Sequence, residues 1–294
     1  MKGRTMMIRG LFFALAFCAS FALADAEPGY WKDALKIRKG VKLKELSFTE
    51  PRLMRAYMMR INLKTPGIVF TGTKRDPKWG EPMPDYTNAV REIRTRRETT
   101  VDFMKRLIAE KQPIDIAVNT TPWSPFIPSH KWANPGHWVV TDGIEVSPGR
   151  QSATFSIGKD GTPRIGDVRP LEETAYAHDG FLIIARGGKD IAPASETSVH
   201  PRTAFGLSAD KKFLYLLVVD GRQPDYSIGA DMHDLCRMFF AAGAADAVNM
   251  DGGGSTSLVY RDPVTKRPVM VNHHAGNAKR PVAANFGIGF KTDK

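Results

Sequence analysis

The sequence predicts an α+β fold: one large mixed sheet of mostly antiparallel strands, with a few packing helices, in a single domain. Three observations favour this class. Strand-like segments outnumber helical ones, many of them are joined by hairpin turns, and 42% of the 294 residues are hydrophobic. That hydrophobic share is ordinary for a globular protein able to bury a core.

The first 24 residues have the pattern of a signal peptide. Three basic residues lead into an almost unbroken apolar run over residues 11–23, and Ala22-Leu23-Ala24 is a cleavage site of small residues. The run is too short for a comfortable membrane span. We therefore expect a mature chain that starts at Asp25, has no integral membrane segment and is periplasmic or secreted.

Charge and cysteine content limit the partners and the disulfide bonds that the mature chain can have. The formal net charge is +11, and it is +8 without the three basic residues of the predicted signal peptide. Such a surface attracts polyanions, and for an exported protein acidic polysaccharides and phosphate-bearing polymers are better candidates than nucleic acid. Cys236 is the only cysteine of the mature chain, so it has no intrachain disulfide partner. Its spacing predicts the buried face of a helix.

After the predicted signal peptide we expect an N-terminal lead-in over residues 25–50, of which 28–40 look exposed and basic. A single domain follows over residues 51–294. Its first elements are a strand over residues 54–63 and a helix, with apolar residues at the helical period, that Thr99 or Thr100 could cap.

A short strand then ends at Asn119, and the stretch from 119 to 138 is dense in proline and aromatic residues. Such a stretch can be neither a regular helix nor a central strand. A loop of this length without periodicity tends to be functional. Its three tryptophans, Trp123, Trp132 and Trp138, offer faces on which sugars could stack.

The pattern of the C-terminal half predicts β-hairpins followed by a helix. Turns are expected at residues 159–161 and 209–210, and the strand over 214–219 is apolar on both faces, which predicts a central position. Asp231 can cap a helix that Gly243 ends. A strand to Met250, a glycine turn, a return strand and a last alternating strand over residues 283–290 complete the chain.

Two acidic residues follow the strands on either side of this helix. Asp220 comes directly after one strand, with Arg222 close behind, and Asp251 follows the next. If the strand–helix–strand unit makes the two strands parallel, both loops lie at the same sheet edge, where sites in α/β sheets gather. Both acids are also compatible with ordinary Asp-Gly turns.

The glycines Gly252, Gly253 and Gly254 have two interpretations. A tight turn between antiparallel strands needs a positive φ, which glycine supplies at low steric cost. Alternatively, successive amides without side chains can approach and bind an anion. Three glycines before Ser255 and Thr256 are more than a turn needs, which favours a ligand. A P-loop is excluded because no lysine follows them.

Other chemistry is weakly supported. Arg202, just before a strand, could bind phosphate in a bidentate manner. His200, His273 and His274 are candidate acids or metal ligands, but no spacing typical of a zinc site is present. The sequence also has no G-x-S-x-G motif of a serine hydrolase.

The stretch from residue 200 to 260 resembles the phosphodiester glycosidase family. It contains, in order, R-T-A-x-G from Arg202, V-D-G-R ending at Arg222, and N-x-D-G-G-G-S from Asn249. Weaker matches are the strand ending at Asn119 and the segment Arg-Pro-Val-Ala-Ala-Asn ending at Asn285, where the family tends to have R-P-V-x-N. The resemblance thus extends over most of the mature chain.

The resemblance implies a hydrolase that cuts the bond between the anomeric carbon of a sugar and a phosphodiester. The substrate would be an N-acetylglucosamine-1-phosphodiester or a cell-envelope or exopolysaccharide glycan. No cofactor is implied, and a divalent cation stays open. The resemblance places a set of residues in the cleft: Arg202, Asp220 and Asp251 as catalytic residues, and Asn119, Thr203, Arg222, Asn249, Gly252, Gly253, Gly254, Ser255 and Asn285 as substrate-binding residues.

One departure concerns the loop after Asn119. The family commonly has glycines and an aromatic pair there, whereas this chain continues with Thr-Thr-Pro-Trp, so the neighbouring loop must be shaped differently. Arg202 or Arg222 would hold the phosphate, and Asp220 or Asp251 would activate water or stabilise the oxocarbenium-like carbon.

Two other functions fit the same sequence. A non-catalytic carbohydrate- or polyanion-binding module would use the positive charge and the tryptophan-rich loop. A metal-dependent phosphodiesterase would hold a divalent ion with carboxylates and histidines. Retention of Asp220 and Asp251 beside arginines favours catalysis, because a protein that only binds anions gains little from adjacent carboxylates.

Overall fold

The computed structural model describes residues 26–27, 29–84, 91–126, 130–166, 169–274 and 279–291. The predicted signal peptide lies outside these residues. In the described part, neither helix has the length and apolar character that a membrane span needs.

The described chain forms twenty-one strands and two α-helices. In chain order the strands are β1 (Leu35–Arg38), β2 (Val41–Phe48), β3 (Met54–Asn62), β4 (Ile68–Gly72), β5 (Thr95–Arg96), β6 (Ile116–Asn119), β7 (Trp123–Ser124), β8 (Trp132–Pro135), β9 (Val139–Thr141), β10 (Ile144–Ser147), β11 (Thr154–Gly158), β12 (Pro163–Ile165), β13 (Thr174–Asp179), β14 (Leu182–Arg186), β15 (Lys189–Asp190), β16 (Arg202–Leu207), β17 (Phe213–Val219), β18 (Asp246–Asn249), β19 (Leu258–Arg261), β20 (Pro268–Met270) and β21 (Asn285–Phe290). The helices are α1 (Thr100–Ala109) and α2 (Met232–Ala242).

The strands pair into four sheets, and every named pair among the described residues is antiparallel. The main sheet has eight strands in the order β1-β2-β3-β17-β16-β18-β14-β15. Two five-stranded sheets have the orders β20-β19-β6-β21-β4 and β10-β9-β13-β11-β12, and β5-β8-β7 form a small fourth sheet. The expected single mixed sheet is therefore divided into several, and the helical share of the α+β class is small.

The core lies between the main sheet and the β6-containing sheet. Alternate residues of a strand point to opposite faces, so β17 sends Leu216 and Val218 towards Val118 and Phe286 of the second sheet. The odd-numbered residues of β17, such as Leu217, pack under α2 instead. Both faces of β17 are covered, which confirms the central position predicted from its apolar run.

Each helix covers the outer face of one sheet. In α2 the buried stripe includes Leu235 and Phe239, and in α1 Phe103 and Met104 pack on Ala117 and Val259 of the second sheet. The resulting order of layers is α2, main sheet, second sheet, α1. The two carboxyls discussed below lie at the end of the main sheet, where it meets the second sheet.

The observed helix ends confirm the caps predicted from the sequence. Thr99 accepts a hydrogen bond from the backbone of Asp102, Asp231 begins α2 with a capping box, and Gly243 ends α2 in the left-handed region at φ 95°. Cys236 is buried against Ile184, whose carbonyl it contacts.

The expected exposed lead-in is instead part of the main sheet. Strands β1 and β2 pair with each other and β2 pairs with β3. Trp31 and Ile37 are buried, and the ring of Trp31 stacks on Tyr215 of β17 with centroids 6.1 Å apart. Lys32, Lys36 and Lys39 are exposed as expected, whereas Arg38 pairs with Asp115 at 2.8 Å and lies over the ring of Phe290.

Candidate active site

Asp220 and Asp251 lie at the same end of the main sheet. Strands β17 and β18 are each antiparallel to β16, which lies between them, so they run in the same direction. Val219 opposes Arg202, and Asn249 opposes Ala204. The ends of β17 and β18 and the start of β16 therefore meet at one edge, with α2 as the crossover.

The Asp220 carboxyl is buried and held by the protein through both oxygens. Asn272 Nδ2 donates to Oδ1 at 3.2 Å, and the backbone N–H of His273 donates to Oδ2 at 3.0 Å. Burial raises the pKa of Asp220 to about 6, and these two hydrogen bonds oppose part of the rise. This carboxyl is therefore fixed in position, and its pKa is raised by burial.

The Asp251 carboxyl is also buried, and one of its oxygens has no hydrogen-bond partner among the described residues. Burial raises its pKa to about 7; the nearby Ser255 hydroxyl, the Arg280 charge and the Trp123 indole act in the opposite direction. Among the described residues, Oδ2 of Asp251 has no hydrogen-bond partner of normal geometry. A buried polar atom without a partner is costly, so this oxygen is a candidate contact for substrate.

The glycine turn is not the hairpin bend that the sequence suggests. It carries the chain from β18 in the main sheet to β19 in the second sheet through a 3₁₀ turn over Gly253–Ser255. Gly253 has φ 58°, which explains one glycine. Its amide donates to Pro201 O at 2.8 Å, and the Ser255 amide donates to Gly252 O at 3.1 Å. These two amides bind the protein itself, so they do not supply the anion site that the sequence suggested.

The other two glycines make room for neighbours. A Cβ at Gly252 would lie 2.6 Å from Pro201 O, and a Cβ at Gly254 would lie 2.4 Å from Nη2 of Arg280. A Cβ at Gly253 would lie 3.2 Å from Nη2 of Arg222. The absence of side chains thus lets two guanidinium groups lie directly against the turn. These groups, rather than the amides, are the candidate phosphate ligands.

The sequence profile of the phosphodiester glycosidase family matches residues 114–289 of the chain. The chain belongs to the phosphodiester glycosidase family. The matched region contains both carboxyls, both of these arginines and the glycine turn, so the site just described lies within the part of the chain that defines the family. No curated protein sequence matches significantly.

Three solved structures have the fold of this family member. The zebrafish N-acetylglucosamine-1-phosphodiester alpha-N-acetylglucosaminidase catalytic domain, auto-inhibited by its pro-peptide, has a TM-score of 0.60 at 16% identity over 88% of this chain and 87% of its own. A Synechocystis protein gives 0.59 at 12% identity over 88% and 64%. A protein of Burkholderia pseudomallei K96243, provisionally described as exported, gives 0.57 at 13% identity over 80% and 74%. At these identities the likeness concerns the fold.

In this member of the family, Arg202 begins β16 beside the two acids but points its guanidinium at the backbone. Its Nε donates to Ala230 O at 3.0 Å, and Nη2 donates to Ser198 O. Burial lowers the pKa of Arg202. Because two of its donors hold these carbonyls, Arg202 stabilises the loop next to the site, and Arg222 and Arg280 are better placed for a ligand.

Asn119 and Thr203 are brought into the site region but are engaged with the protein. Asn119 Oδ1 accepts from Thr203 Oγ1 at 2.8 Å and from the Ser257 amide at 3.0 Å, and its Nδ2 donates to the Asp251 carbonyl at 2.7 Å. Both acceptor positions of the Asn119 side-chain oxygen are thereby occupied. The contacts of Asn119 set the course of the chain around Asp251.

The remaining predicted residues divide into two groups. Asn249 Oδ1 and the Thr256 hydroxyl are buried without a hydrogen-bond partner among the described residues, and the Ser255 hydroxyl is close enough to Asp251 to lower the pKa of its carboxyl. Asn285 instead accepts from Thr100 Oγ1 at 2.8 Å, at the start of α1, and makes no described contact with either acid.

The three tryptophans do not form one stacking platform. Trp138 is buried in a small core cluster and donates to Glu145 at 2.9 Å, and Trp132 is half-buried. Trp123 is buried close to the Asp251 carboxyl, with Arg97 over its ring at 4.5 Å. Two of the three rings that the sequence offers for sugar stacking, those of Trp123 and Trp138, are therefore buried.

Sequence reasoning missed Arg280 and Asn272. Arg280 begins the Arg-Pro-Val-Ala-Ala-Asn segment that carries part of the family resemblance, and that position is the signal that could have identified it. Asn272 follows an apolar strand with no motif of its own, and only the folded chain brings it to Asp220. In the described part of the chain, no group of three or more His, Cys, Asp or Glu side chains is arranged to hold a metal.

Proposed function

We propose that this chain is an exported hydrolase that cleaves the glycosidic bond of a sugar-1-phosphodiester. One observation carries the proposal: two buried carboxyls with raised pKa values share a sheet end with two guanidinium groups lying against the glycine turn. Buried acids with shifted pKa values are typical of catalytic sites. Paired arginines are typical of phosphate recognition.

Arg222 and Arg280 would bind the phosphodiester. A guanidinium group matches two phosphate oxygens in a bidentate geometry, and Gly253 and Gly254 let both groups reach the same small region. The same positive charge would stabilise the phosphate as it leaves the sugar. A phosphodiester is already a good leaving group, so a strong general acid is not required.

Asp251 is the better candidate for direct contact with the reacting carbon. Both oxygens of Asp220 are held by Asn272 and His273, whereas Asp251 keeps one oxygen without a partner among the described residues. Asp251 would activate water or stabilise the positive charge that develops at the anomeric carbon. Asp220 would contribute negative potential from a fixed position. In this mechanism all catalytic and binding groups are side chains of the protein itself.

The test is release of sugar from a panel of sugar-1-phosphodiesters by the purified mature chain. The panel starts with N-acetylglucosamine and continues with glucose and teichoic-acid-like polymers. We expect turnover of at least one member, a loss of about 100-fold or more in D251N, and unchanged turnover after EDTA treatment. D246N, at the opposite end of β18, is the matched control.

Near-wild-type turnover in D251N would remove Asp251 from the chemistry. Absence of turnover on the whole panel would favour a carbohydrate-binding module instead. Activity lost with EDTA and restored by a divalent ion would favour a metal-dependent phosphodiesterase.

The proposed location is the periplasm or the cell exterior. It rests on the signal-peptide pattern of the first 24 residues. Fractionation of the producing cells, with a mass measurement of the exported chain, would test it. A mature N-terminus at Asp25 is the expected result, and retention of residues 1–24 would contradict it.

A further inference from the structure

A histidine–aspartate pair outside the predicted site residues borders the same sheet end. His137 Nδ1 lies 3.0 Å from Oδ2 of Asp179. Asp179 is fully buried, and its Oδ1 accepts from the amide of Ala153 at 2.7 Å and from Thr154 Oγ1 at 2.8 Å. The carboxylate is thus held rigidly and aligns the imidazole ring, with Nδ1–H as the donor.

The residues after Asp179 are hydrogen-bonded to β18, the strand that precedes Asp251. They turn onto the end of β18, where the Phe181 amide donates to Asn249 O at 2.9 Å. A Cβ at Gly180 would lie 2.3 Å from the same carbonyl, so the backbones are in close contact. Asn249 is two residues before Asp251, and the Asp179 end of the pair therefore lies beside the site.

His137 is anchored to the other border of the site as well. The amide of the preceding residue, Gly136, donates to Pro122 O at 2.7 Å. Pro122 is followed by Trp123, whose indole is close enough to Asp251 to influence the pKa of its carboxyl. His137 is consequently held between two segments that both border Asp251.

The ring of His137 opens towards solvent at this border. Its side chain is 31% exposed, and its centroid lies 6.2 Å from the ring of Phe181, which is itself 55% exposed. Because Asp179 occupies Nδ1, Nε2 is the nitrogen left to exchange a proton. An imidazole oriented in this way by a carboxylate is the arrangement of a general base.

The order of strands places His137 opposite one of the phosphate-binding arginines. Arg222 follows β17, which is separated from β18 by β16, so Arg222 lies on one side of Asp251. His137 lies on the other side, beyond β18 and next to the start of β14. With the phosphate at Arg222, water that attacks the anomeric carbon from the side away from the phosphate would approach from the His137 side. A base at that position suits an attack opposite to the leaving group.

We propose that His137 Nε2 is the general base of the reaction and that Asp179 is its positioning residue; this inference rests on the proposed function. Water forms a bond from its oxygen to the anomeric carbon and gives a proton to Nε2. The bond between that carbon and the phosphate oxygen breaks, and its electron pair stays on the phosphate. The products are the free sugar and a phosphomonoester, and the imidazolium then loses its proton to solvent. Asp251 is left to stabilise the developing positive charge on the carbon.

The chain offers a matched control pair on the far side of the main sheet. His233 Nδ1 lies 2.7 Å from Oδ2 of Asp190, at the start of α2. This pair has the same chemistry and partial exposure, but it lies on the opposite face of the sheet from the second-sheet core. Substitution of His233 removes an equivalent histidine without approaching the site.

The experiment compares H137A and H233A on the best substrate of the panel. In H137A we expect kcat to fall about 100-fold or more, KM to change less than about threefold, and added imidazole to restore part of kcat. In H233A we expect wild-type kcat and no effect of imidazole. A purely structural role of His137 would lower the melting temperature and would not respond to imidazole.

A second readout addresses Asp179 without relying on turnover. In ¹⁵N-histidine spectra, the His137 signals (identified by their loss in H137A) should report a proton on Nδ1 in the wild type and a different tautomer balance in D179N. Wild-type kcat in H137A, or the same tautomer in both proteins, would overturn the inference while leaving the proposed function in place. Lack of turnover, and of ligand-induced shifts, with every sugar-1-phosphodiester of the panel would overturn both.

Discussion

Asp251 is held in an environment that disfavours its ionised form. The pKa of about 7, against an ordinary value of 3.8, results mainly from burial, and Asp220 shows a smaller rise with the same cause. The folded chain therefore binds protons more tightly than the unfolded chain between about pH 4 and pH 7. The stability that these two carboxyls contribute is fully present below this range and is lost as the pH rises through it.

Substituting Asp251 by Asn should stabilise the fold at high pH while lowering activity. Asparagine cannot ionise, so D251N avoids a penalty of up to about 4 kcal/mol that the wild type carries above pH 7. Urea unfolding at pH 4 and pH 8 measures the effect. We expect similar stabilities at pH 4 and a more stable variant at pH 8.

The matched control D246N should show no such gain at pH 8. Equal stability of D251N and the wild type at both pH values would contradict the predicted penalty. The combination of lower activity with higher stability is the usual trade-off at a catalytic residue.

The glycine turn illustrates how far a motif can be interpreted from sequence. Its composition predicts a bend and a nearby ligand, and the positive φ of Gly253 agrees with the bend. The motif does not show which neighbouring residues occupy the space that the missing glycine side chains leave. Those are Pro201 O over Gly252 and Arg280 over Gly254, and their approach depends on residues 26 to 51 positions away in the chain.

Two alanine substitutions in this turn should have different effects. In G252A the new Cβ meets the backbone carbonyl of Pro201, which must shift, and we expect a loss of about 1–3 kcal/mol in stability. In G254A it meets the end of the flexible Arg280 side chain, which can move away. We expect G254A to keep most of its stability and to raise KM about tenfold, since a charge-assisted contact with phosphate is lost.

Chemical unfolding and steady-state kinetics of the two variants test this assignment. A G254A protein with unchanged KM and the instability of G252A would show that Arg280 does not bind substrate.

Local elements could be predicted from the sequence, whereas their division among sheets could not. The caps Thr99, Asp231 and Gly243 depend on residues within one turn of each helix end. The partners of β6 are β19 and β21, about 140 and 170 residues away. Nothing in the alternation of β6 specifies such distant partners, because alternation identifies a buried face and not the strand that pairs at its edge.

Two buried asparagines join the main sheet to the second sheet at the site. Asn119, in β6, bonds Thr203 of the main sheet. Asn272 donates to Asp220 at the end of β17, and its oxygen accepts from the Leu258 amide of β19 at 3.0 Å. The relative position of the two sheets and the geometry of the acids are therefore controlled by the same contacts.

Removal of the Asn119 amide should destabilise the whole molecule. In N119A the Thr203 hydroxyl, the Ser257 amide and the Asp251 carbonyl all lose a buried partner, and we expect a cost of about 3 kcal/mol or more. Urea unfolding measures it. N62A, which removes an exposed turn contact to the Lys64 amide, is the control and should cost less than about 1 kcal/mol. Equal effects of the two changes would contradict the joining role of Asn119.

The position of β3 has a practical consequence for anyone who shortens this protein. The family profile starts at residue 114, but β17 pairs along its whole length with β3, and the Asp220 amide donates to Arg55 O at 2.9 Å. A fragment trimmed to the matched residues would expose the edge of the most apolar strand, and exposed edges promote aggregation. An expression fragment that is meant to stay soluble and keep Asp220 in place should begin upstream of Met54.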